Sequence, residues 1–271
     1  MKKNDMENNM GQYLLTTIED RVGKITFNTP ENLNALTPDV MKEFMAVLDE
    51  YEENPDVRVV LITGAGRAFS AGGSYDFLKE MFDATPTQIK NTVYKYFAGG
   101  VKRLKLFPKP TVAAVNGPAA GAGCEAAIAC DFRVVCKEAL FSEVWAKLGL
   151  ICPLGGMFLL PRLVGLAKAT EMLMLGTPVA GEEAVKIGLA NELVEKENLQ
   201  DAAMKLALRL AEGAPLALST IKEGLRRGME STLAAEWEYN VFAQATLISS
   251  EDYKEGANAV MEKRSPNFKG Q

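Results

Sequence analysis

The stretch TVAAVNGPAAGAGCE, from Thr111 to Glu125, decides the fold of this chain. Its first five residues predict a buried β-strand, Asn-Gly-Pro predicts a turn, and the apolar residues from Ala122 onward predict the start of a helix. The first turn of a helix carries backbone N–H groups without intrahelical partners and a partial positive charge, and glycines let an anion approach closely. The stretch therefore predicts a backbone site for negative charge.

Glu125 lies one turn inside this predicted helix. A carboxylate there is favoured by the helix dipole, so Glu125 is compatible with an acid that only stabilises the start of the helix. It is equally compatible with an acid that takes part in chemistry beside the bare backbone. The sequence leaves both interpretations open.

A second glycine-rich turn, GAGRAFSAGGS, runs from Gly64 to Ser74. It follows a nearly all-apolar stretch at 57–63, which is typical of a strand buried on both faces, and a helix is predicted from about Tyr75. The pattern of strand, glycine-rich turn and helix thus occurs twice, around Gly73 and around Ala122. Two anion-receiving backbone groups are the interpretation we favour, with two tight turns of an α/β sheet as the alternative.

The composition narrows the possible chemistry. The chain has 271 residues, is 48% hydrophobic, has a formal net charge of −5 and contains no histidine. The absence of histidine excludes a Ser-His-Asp triad, a Cys-His pair and the common zinc sites. Acid–base chemistry must therefore come from carboxylates, Tyr, Lys, Cys or the backbone.

Charge and cysteine usage indicate the surroundings of the protein. The interspersed charges give no reason to expect nucleic acid or an anionic membrane, and no apolar run reaches the ~18 residues that cross a bilayer. The four cysteines, which form no CxxC pair, lie in mostly apolar surroundings and predict buried reduced thiols rather than disulfides or a metal site. The expected location is the cytoplasm.

The chain divides into three predicted parts. Residues 1–11 are polar and predict a flexible N-terminal tail, 12–198 alternate β and α patterns, and 199–271 contain helical patterns only. The last part carries an apolar stripe that predicts an oligomerisation surface, with docking on the chain's own core as the alternative. The stripe consists of Leu233, Trp237, Val241, Phe242 and Leu247.

Several motifs in the same order together resemble the enoyl-CoA hydratase/isomerase (crotonase) superfamily. They are NLNAL at 32–36, RAFSAGG at 67–73, KPTVAAVNG at 109–117, GAGCE at 121–125, Cys130-Asp131 and PRLVG at 161–165. The resemblance extends from about Tyr13 to Phe268. It implies an α/β fold, a crotonase-like spiral of ββα units with a C-terminal helical trimerisation region. It also implies acyl-CoA thioester substrates, a homo-oligomer that is a trimer or a dimer of trimers, and no cofactor other than the coenzyme A of the substrate.

The same resemblance implies roles for individual residues. The backbone N–H groups of Gly73 and Ala122 would stabilise the oxygen of a thioester enolate, and two such donors are worth very roughly 3 kcal/mol each. Ala71 would contact the substrate. Arg67 and Lys269 could meet the phosphates of coenzyme A, the latter across a subunit boundary.

The acid–base residues depart from the family pattern. Glu125 matches one of the two glutamates of enoyl-CoA hydratases, but the position of the second is Trp145, and the aspartate position of many isomerase-like relatives is Pro153. Glu143 could substitute, although a solvated surface acid is the interpretation that we favour. Trp145 predicts either a flat pocket wall for a bulky, cyclic or aromatic-derived acyl group or simple core packing.

The favoured function is an enoyl-CoA hydratase in which Glu125 holds and activates water. The alternatives are an enoyl-CoA double-bond isomerase, in which Glu125 or Glu143 moves a proton, and a non-catalytic acyl-CoA-binding oligomer. Residues 121–126 also fit the dinucleotide-binding pattern G-x-G-x-x-A, but five residues separate the pattern from its strand, so the context argues against that class.

Overall fold

The computed structural model describes residues 9–271. Ten strands are present in this part of the chain: β1 Asn9–Met10, β2 Leu14–Glu19, β3 Val22–Phe27, β4 Val59–Gly64, β5 Thr111–Val115, β6 Pro118–Ala120, β7 Phe132–Cys136, β8 Leu140–Ser142, β9 Val179–Ala180 and β10 Glu192–Val194. The α-helices of the same part are α1 Pro38–Glu53, α2 Tyr75–Glu80, α3 Pro86–Thr92, α4 Gly99–Lys105, α5 Ala122–Ala129, α6 Gly156–Thr170, α7 Gly181–Lys186, α8 Leu199–Ala211, α9 Pro215–Gly228, α10 Leu233–Ile248 and α11 Glu251–Glu262. Strands thus alternate with helices until β10, and only helices follow, as the sequence predicts.

The fold begins with an antiparallel hairpin of β2 and β3. Asp20 and Arg21, which connect the strands, both have positive φ, as a tight two-residue hairpin turn requires. Of the predicted tail at 1–11, residues 1–8 lie outside the described residues. Asn9 and Met10 pair with β2, so this end of the predicted tail is a strand.

Seven strands form the main sheet in the order β1-β2-β3-β4-β5-β7-β10. From β3 onward the neighbouring strands are parallel. Parallel strands are covered on both faces, and β4 and β5 are accordingly buried along their whole length. Helix α1 covers one face and buries Phe44, Leu48 and Tyr51. The Thr37 side chain caps the start of this helix by accepting a hydrogen bond from the Val40 N–H.

A smaller sheet of β6, β8 and β9 positions the candidate site. Strand β6 pairs in parallel with β8, and Gly121, between β6 and α5, donates its N–H to the Ser142 carbonyl at 2.8 Å. The start of α5 is therefore tied to the chain segment that leads into Glu143 and Trp145.

The predicted boundary at residue 199 needs a correction. Helix α8 begins there, but it packs on strands β3, β4, β5 and β7 and buries Leu199, Ala203, Ala207 and Ala211. Small side chains on this face let the helix lie close to the sheet. By its packing α8 belongs to the α/β core, and the helical appendage starts at α9.

Helix α10 has an unusual distribution of side chains. Its buried residue is Glu236, whereas Trp237 is 64% exposed and Phe242 is 72% exposed. Leu233 and Val241 are each 67% exposed. The stripe therefore does not dock on the core of its own chain, so that alternative is wrong.

The contact between Gly23 and Tyr51 provides a test of the core. A Cβ atom at Gly23 would lie 2.6 Å from the Tyr51 ring, which is fixed in the core because its hydroxyl donates to the carbonyl oxygens of Thr17 and Lys24. We expect Gly23→Ala to lower the free energy of unfolding by about 1–3 kcal/mol in urea titration. Gly228→Ala is the matched control, since no atom lies within 4 Å of its added Cβ and alanine is the better helix former. An equally stable Gly23→Ala protein would contradict this packing.

Candidate active site

The backbone of Gly73 is turned toward open space by its pairing with Leu36. Leu36 donates to the Gly72 carbonyl at 2.6 Å and accepts from the Ser74 N–H at 3.0 Å. In a parallel bridge of this kind the residue in the middle directs its own N–H to the opposite side. A Cβ at Gly73 would meet no atom within 4 Å. The Gly73 N–H has no acceptor among the described residues and faces open space.

Ala122 is the first residue of α5, where an N–H group has no intrahelical partner. Gly121, before it, has φ 49°, a backbone conformation that favours glycine. The segments that carry Ala122 and Gly73 are close together, since a Cβ at Gly72 would lie 3.2 Å from the Ala122 nitrogen and 2.4 Å from the Ala120 oxygen. Within residues 9–271 neither amide donates a hydrogen bond, so both can be directed at one oxyanion.

Ser70 holds these two segments together, a role that the sequence analysis missed. Its hydroxyl donates to the Asn34 carbonyl at 2.7 Å and accepts from the Gly72 N–H at 3.1 Å. Its carbonyl accepts from the Ala120 N–H at 2.9 Å. The signal was a polar residue inside the apolar run AFSA, because a buried hydroxyl requires partners.

Two buried asparagine side chains fix the loop between β4 and Ser70. The Asn34 amide donates to the carbonyl oxygens of Ala65 at 2.9 Å and Ala68 at 2.8 Å. The Asn116 amide donates to Gly64 at 2.9 Å. Both asparagines lie within the quoted motifs, yet sequence alone does not indicate which carbonyls they would bind.

The Glu125 side chain is fully buried and held through one oxygen. Its Oε1 accepts hydrogen bonds from the Leu154 N–H at 2.8 Å and the Gly156 N–H at 2.9 Å. Its Oε2 has no hydrogen-bond partner among the described residues. One oxygen thus fixes the carboxyl group and the other is available for chemistry.

Glu143 is also fully buried, which corrects the favoured interpretation of a solvated surface acid. The pairing of β6 with β8 carries the following residues inward, next to the start of α5. Neither carboxyl oxygen of Glu143 has a hydrogen-bond partner among residues 9–271. The structure therefore brings a second carboxyl group to Glu125, although not at the family position that Trp145 occupies.

Burial changes the protonation of both acids. It raises the pKa of Glu125 to about 7, and the N–H groups of Gly156 and Leu154 offset part of that increase. Burial, followed by the charge of Glu125, raises the pKa of Glu143 to about 8. Two carboxyl groups this close cannot both ionise easily, so near neutral pH the pair keeps one proton.

A cleft of about 1100 Å³ leads to this region. Gly73, Ala71 and Arg67 line the cleft, and so does Trp145, whose ring would lie 3.3 Å from a Cβ at Gly121. The carboxyl groups themselves have no exposed surface and do not line the cleft. Trp145 therefore contacts the cleft on one side and the acid pair on the other, as the pKa-lowering effect of its indole on both acids indicates.

The remaining predicted residues lie elsewhere. Lys269 is exposed near the C-terminus, where its N–H donates to Asp252, and it does not line the cleft of its own chain. Pro153 lines a separate pocket of about 610 Å³ and brings no acid to the site. The four cysteines are free and buried, and the described residues contain no group of three or more His, Cys, Asp or Glu that could hold a metal.

These features define a class of protein: an α/β fold that offers two backbone donors to an oxyanion beside buried carboxyl groups. The family model for enoyl-CoA hydratase/isomerase matches residues 17–271, and the chain belongs to that family. It is 35% identical to the 1,2-epoxyphenylacetyl-CoA isomerase of Escherichia coli over 96% of this chain and 100% of that protein. It is also 35% identical to the short-chain-enoyl-CoA hydratase of Clostridium acetobutylicum over 91% of this chain and 93% of that protein.

Solved structures confirm the crotonase fold. The crystal structure of an enoyl-CoA hydratase from Bacillus anthracis superposes with a TM-score of 0.90 at 31% identity, covering 96% of this chain and 100% of that one. Family and fold together show that this chain is an enzyme of the hydratase/isomerase class acting on CoA thioesters. The non-catalytic and dinucleotide-binding alternatives are therefore wrong.

The acid pair predicts a pH dependence of stability. Between the usual glutamate pKa of 4.5 and the raised values of the pair, the folded protein binds more protons than the unfolded chain. The pair's contribution to stability is therefore fully present below about pH 4.5 and is lost as the pH rises through the folded pKa values of about 7 and about 8. Glutamine cannot ionise, so we expect Glu143→Gln to lose less stability than the parent as the pH rises. At pH 8 its free energy of unfolding should exceed that of the parent by on the order of 1 kcal/mol or more.

The measurement is urea unfolding of both proteins between pH 5 and pH 8. Subtracting the two free energies of unfolding at each pH removes the contribution of the other titrating groups and leaves that of Glu143. Glu182→Gln, which changes an exposed glutamate, is the control and should leave the pH dependence of the parent unchanged. Parallel curves for Glu143→Gln and the parent would show that Glu143 is not a buried acid with a raised pKa.

Proposed function

We propose that the protein is an enoyl-CoA hydratase that adds water across the double bond of a 2-enoyl-CoA thioester. The observation that carries this proposal is the arrangement of Glu125, whose Oε1 is fixed by two backbone amides while its buried Oε2 has no partner. A fixed carboxylate with one available oxygen and a raised pKa is suited to take a proton from water near neutral pH.

Substrate binding would place the thioester oxygen between the N–H groups of Gly73 and Ala122. These donors are preset by strand pairing and by the start of a helix, so they need no rearrangement as charge develops on the oxygen. Arg67 lines the same cleft and is available to the phosphates of coenzyme A. Lys269 would reach coenzyme A from a neighbouring subunit.

The reaction follows from this placement. The water oxygen bonds to the β-carbon and gives one proton to Glu125, while the electron pair of the double bond moves onto the thioester oxygen held by the two amides. The resulting enolate takes one proton at the α-carbon from the acid pair and becomes the 3-hydroxyacyl-CoA. One proton enters the pair and one leaves it, so the charge on Glu125 and Glu143 is the same before and after turnover. No cofactor is needed beyond the coenzyme A of the substrate.

The flat ring of Trp145 at the inner end of the cleft favours a bulky, cyclic or aromatic-derived acyl group, because such a group can pack on an indole face. The relative named 1,2-epoxyphenylacetyl-CoA isomerase supports this choice. Equal turnover of a short linear and a cyclic 2-enoyl-CoA would argue against this preference.

Double-bond isomerisation is the second candidate. The observation in its favour is that Glu143 provides a second carboxyl group beside Glu125, so a proton could leave one allylic carbon and return to the other. Hydration remains the first choice because Glu125 occupies the hydratase position and its Oε2 has no hydrogen-bond partner among the described residues, so this oxygen can bind water.

Replacement of Glu125 by glutamine tests the proposal. The glutamine carbonyl oxygen can still accept from the Leu154 and Gly156 N–H groups, so the local structure is kept while the base is lost. We expect the kcat for hydration to fall about 10²–10⁴-fold. Turnover is followed by the loss of conjugated enoyl-thioester absorbance over a panel of linear and cyclic substrates.

The control for this variant is binding of a saturated acyl-CoA, which should match the parent because the two backbone donors are untouched. If the parent binds CoA thioesters but hydrates no member of the panel, the hydratase assignment fails. Conversion of a 3-enoyl-CoA to the conjugated 2-enoyl-CoA by the same parent would then support the isomerase.

We also propose that the chain forms a homo-oligomer, a trimer or a dimer of trimers, through α9–α11. The support is the exposed stripe on α10, and Val260 and Met261 on α11 are also 79% and 72% exposed. Large apolar side chains exposed in this number are unfavourable in water and are typical of an interface between copies.

Light scattering coupled to size-exclusion chromatography tests the assembly. We expect a mass of three or six chains for the parent and a lower mass for Trp237→Glu/Phe242→Glu, because two charges would be buried without partners in the interface. Leu148→Glu, which changes an exposed apolar residue outside the helical appendage, is the control. A parent that elutes as a single chain would contradict the proposed interface.

The cytoplasm is the proposed location. Its support is the state of the four cysteines, which are buried and unpaired as is usual for proteins of a reducing compartment. No helix in the described part of the chain is both long and apolar enough to cross a membrane.

A further inference from the structure

Four buried polar atoms near the inner end of the cleft have no partner among the described residues at the distance and angle of a full hydrogen bond. They are Glu125 Oε2, both carboxyl oxygens of Glu143, and Trp145 Nε1. A buried polar atom without a partner is destabilising, and such atoms are few in native proteins. Four of them in one cluster indicate a built site for a polar ligand.

The three side chains all surround Gly121. Its carbonyl accepts from the Glu125 N–H at 2.9 Å, its N–H donates at 2.8 Å to Ser142, the residue before Glu143, and a Cβ there would lie 3.3 Å from the Trp145 ring. The charge of Glu125 raises the pKa of Glu143, and the indole N–H of Trp145 lowers the pKa of both acids, so all three groups are within electrostatic reach of one another. Trp145 also packs against Gly121, next to the proposed donor Ala122. The cluster is therefore adjacent to the place where the thioester would bind.

The hydrogen-bonding capacity of the cluster identifies its ligand. The indole N–H can only donate, whereas the carboxyl groups, which together keep one proton near neutral pH, mainly accept. A ligand oxygen that accepts from the indole and donates one hydrogen to each acid gives a partner to three of the four atoms, at least one on every side chain of the cluster. Water has this capacity, whereas a carbonyl oxygen has no hydrogen to donate and a metal cation would be repelled by the N–H group.

We propose that the indole N–H of Trp145, together with Glu125 and Glu143, holds the water that adds to the enoyl double bond. Trp145 thus occupies the position of the second carboxylate of the family. A carboxylate there would accept a hydrogen bond from the water, whereas the indole N–H donates one to the water oxygen. After addition, the oxygen belongs to the product hydroxyl, which still accepts from the indole and donates one hydrogen to an acid. This inference rests on the proposed hydratase function and assigns Trp145 a catalytic role in it.

The test compares Trp145→Phe with Trp237→Phe, which changes the other tryptophan of the chain on the exposed surface of α10. Phenylalanine keeps an apolar wall but has no N–H group. We expect the kcat for hydration to fall about 100-fold in Trp145→Phe with KM nearly unchanged, since one donor to the reacting group is lost. Trp237→Phe should hydrate at the parent rate.

A second reaction separates the water site from the rest of the machinery. Exchange of the α-hydrogens of a saturated acyl-CoA for solvent deuterium needs the enolate donors and a carboxylate base but no added water. We expect Trp145→Phe to retain this exchange at the parent rate. A hydration rate equal to the parent's, or a parallel loss of hydration and exchange, would overturn the proposal, because a merely structural tryptophan produces one of these results.

Fluorescence gives a readout that does not depend on the stability of Trp145→Phe. In Trp237→Phe the emission comes from Trp145 alone, and it should change as the acid pair ionises between about pH 6 and pH 9. Adding Glu143→Gln should reduce this change. Constant emission across the range would show that the indole does not face the acids and would overturn the proposal.

The outcomes distinguish this inference from the function on which it rests. If the parent shows no hydration of any 2-enoyl-CoA, the proposed function fails regardless of Trp145. If the parent hydrates its substrate and Trp145→Phe does so equally well, the function stands and the role of Trp145 fails.

Discussion

The free-energy cost of burying the Glu125 carboxyl group is the constraint on which the site depends. An ionised carboxylate without water is strongly destabilised unless hydrogen bonds replace its solvation. Here the N–H groups of Leu154 and Gly156 supply two such bonds to one oxygen. Because these donors belong to the loop and first turn of α6, the position of that helix is tied to the protonation of an acid at the start of α5. Fold and chemistry are thus coupled through a single side chain.

Burying Glu143 adds to this cost. Burial raises the pKa of Glu143, and the charge of Glu125 raises it further. Such a pair has no evident structural benefit, because an apolar residue at Glu143 would fill the same space without desolvation. The thiols of Cys124 and Cys152 lie beside the acids, and burial raises the pKa of each thiol, so neither offers a competing anion. The surroundings thus keep the proton on the carboxyl pair and away from the sulfur atoms.

Local patterns were sufficient for much of this structure. The alternation of strands and helices, the glycine-rich turns before α2 and α5, and the position of Glu125 follow from periodicity and turn residues. The burial of Glu143 does not, because it depends on the pairing of β6 with β8, which brings together segments far apart in sequence. The docking of α8 on the sheet has the same origin. Its helical pattern was evident, but which surface would cover its small residues was not.

The recognised motifs also showed where sequence stops being informative. Ser70 lies inside one of them, yet its bonds to Asn34, Gly72 and Ala120 could only be read from the folded chain. Trp145 was identified as a departure from the family pattern, but its relation to the cleft and to both acids depends on the placement of a single turn after β8. Residues that depart from the family pattern in this way determine how the reaction of one member differs from that of the others.

The pairing of Leu36 with the segment around Gly73 has a consequence for how this region can evolve. Along an extended segment, successive N–H groups alternate between opposite sides. Leu36 engages Gly72 and Ser74 on one side, which directs the intervening amide of Gly73 to the other. Insertion or deletion of one residue between Ala68 and Gly73 would reverse this alternation and turn the donor toward Leu36. The segment therefore cannot change in length without losing the donor, and divergence here should proceed by substitution at positions other than Ser70 and Gly72, whose bonds and close packing are already fixed.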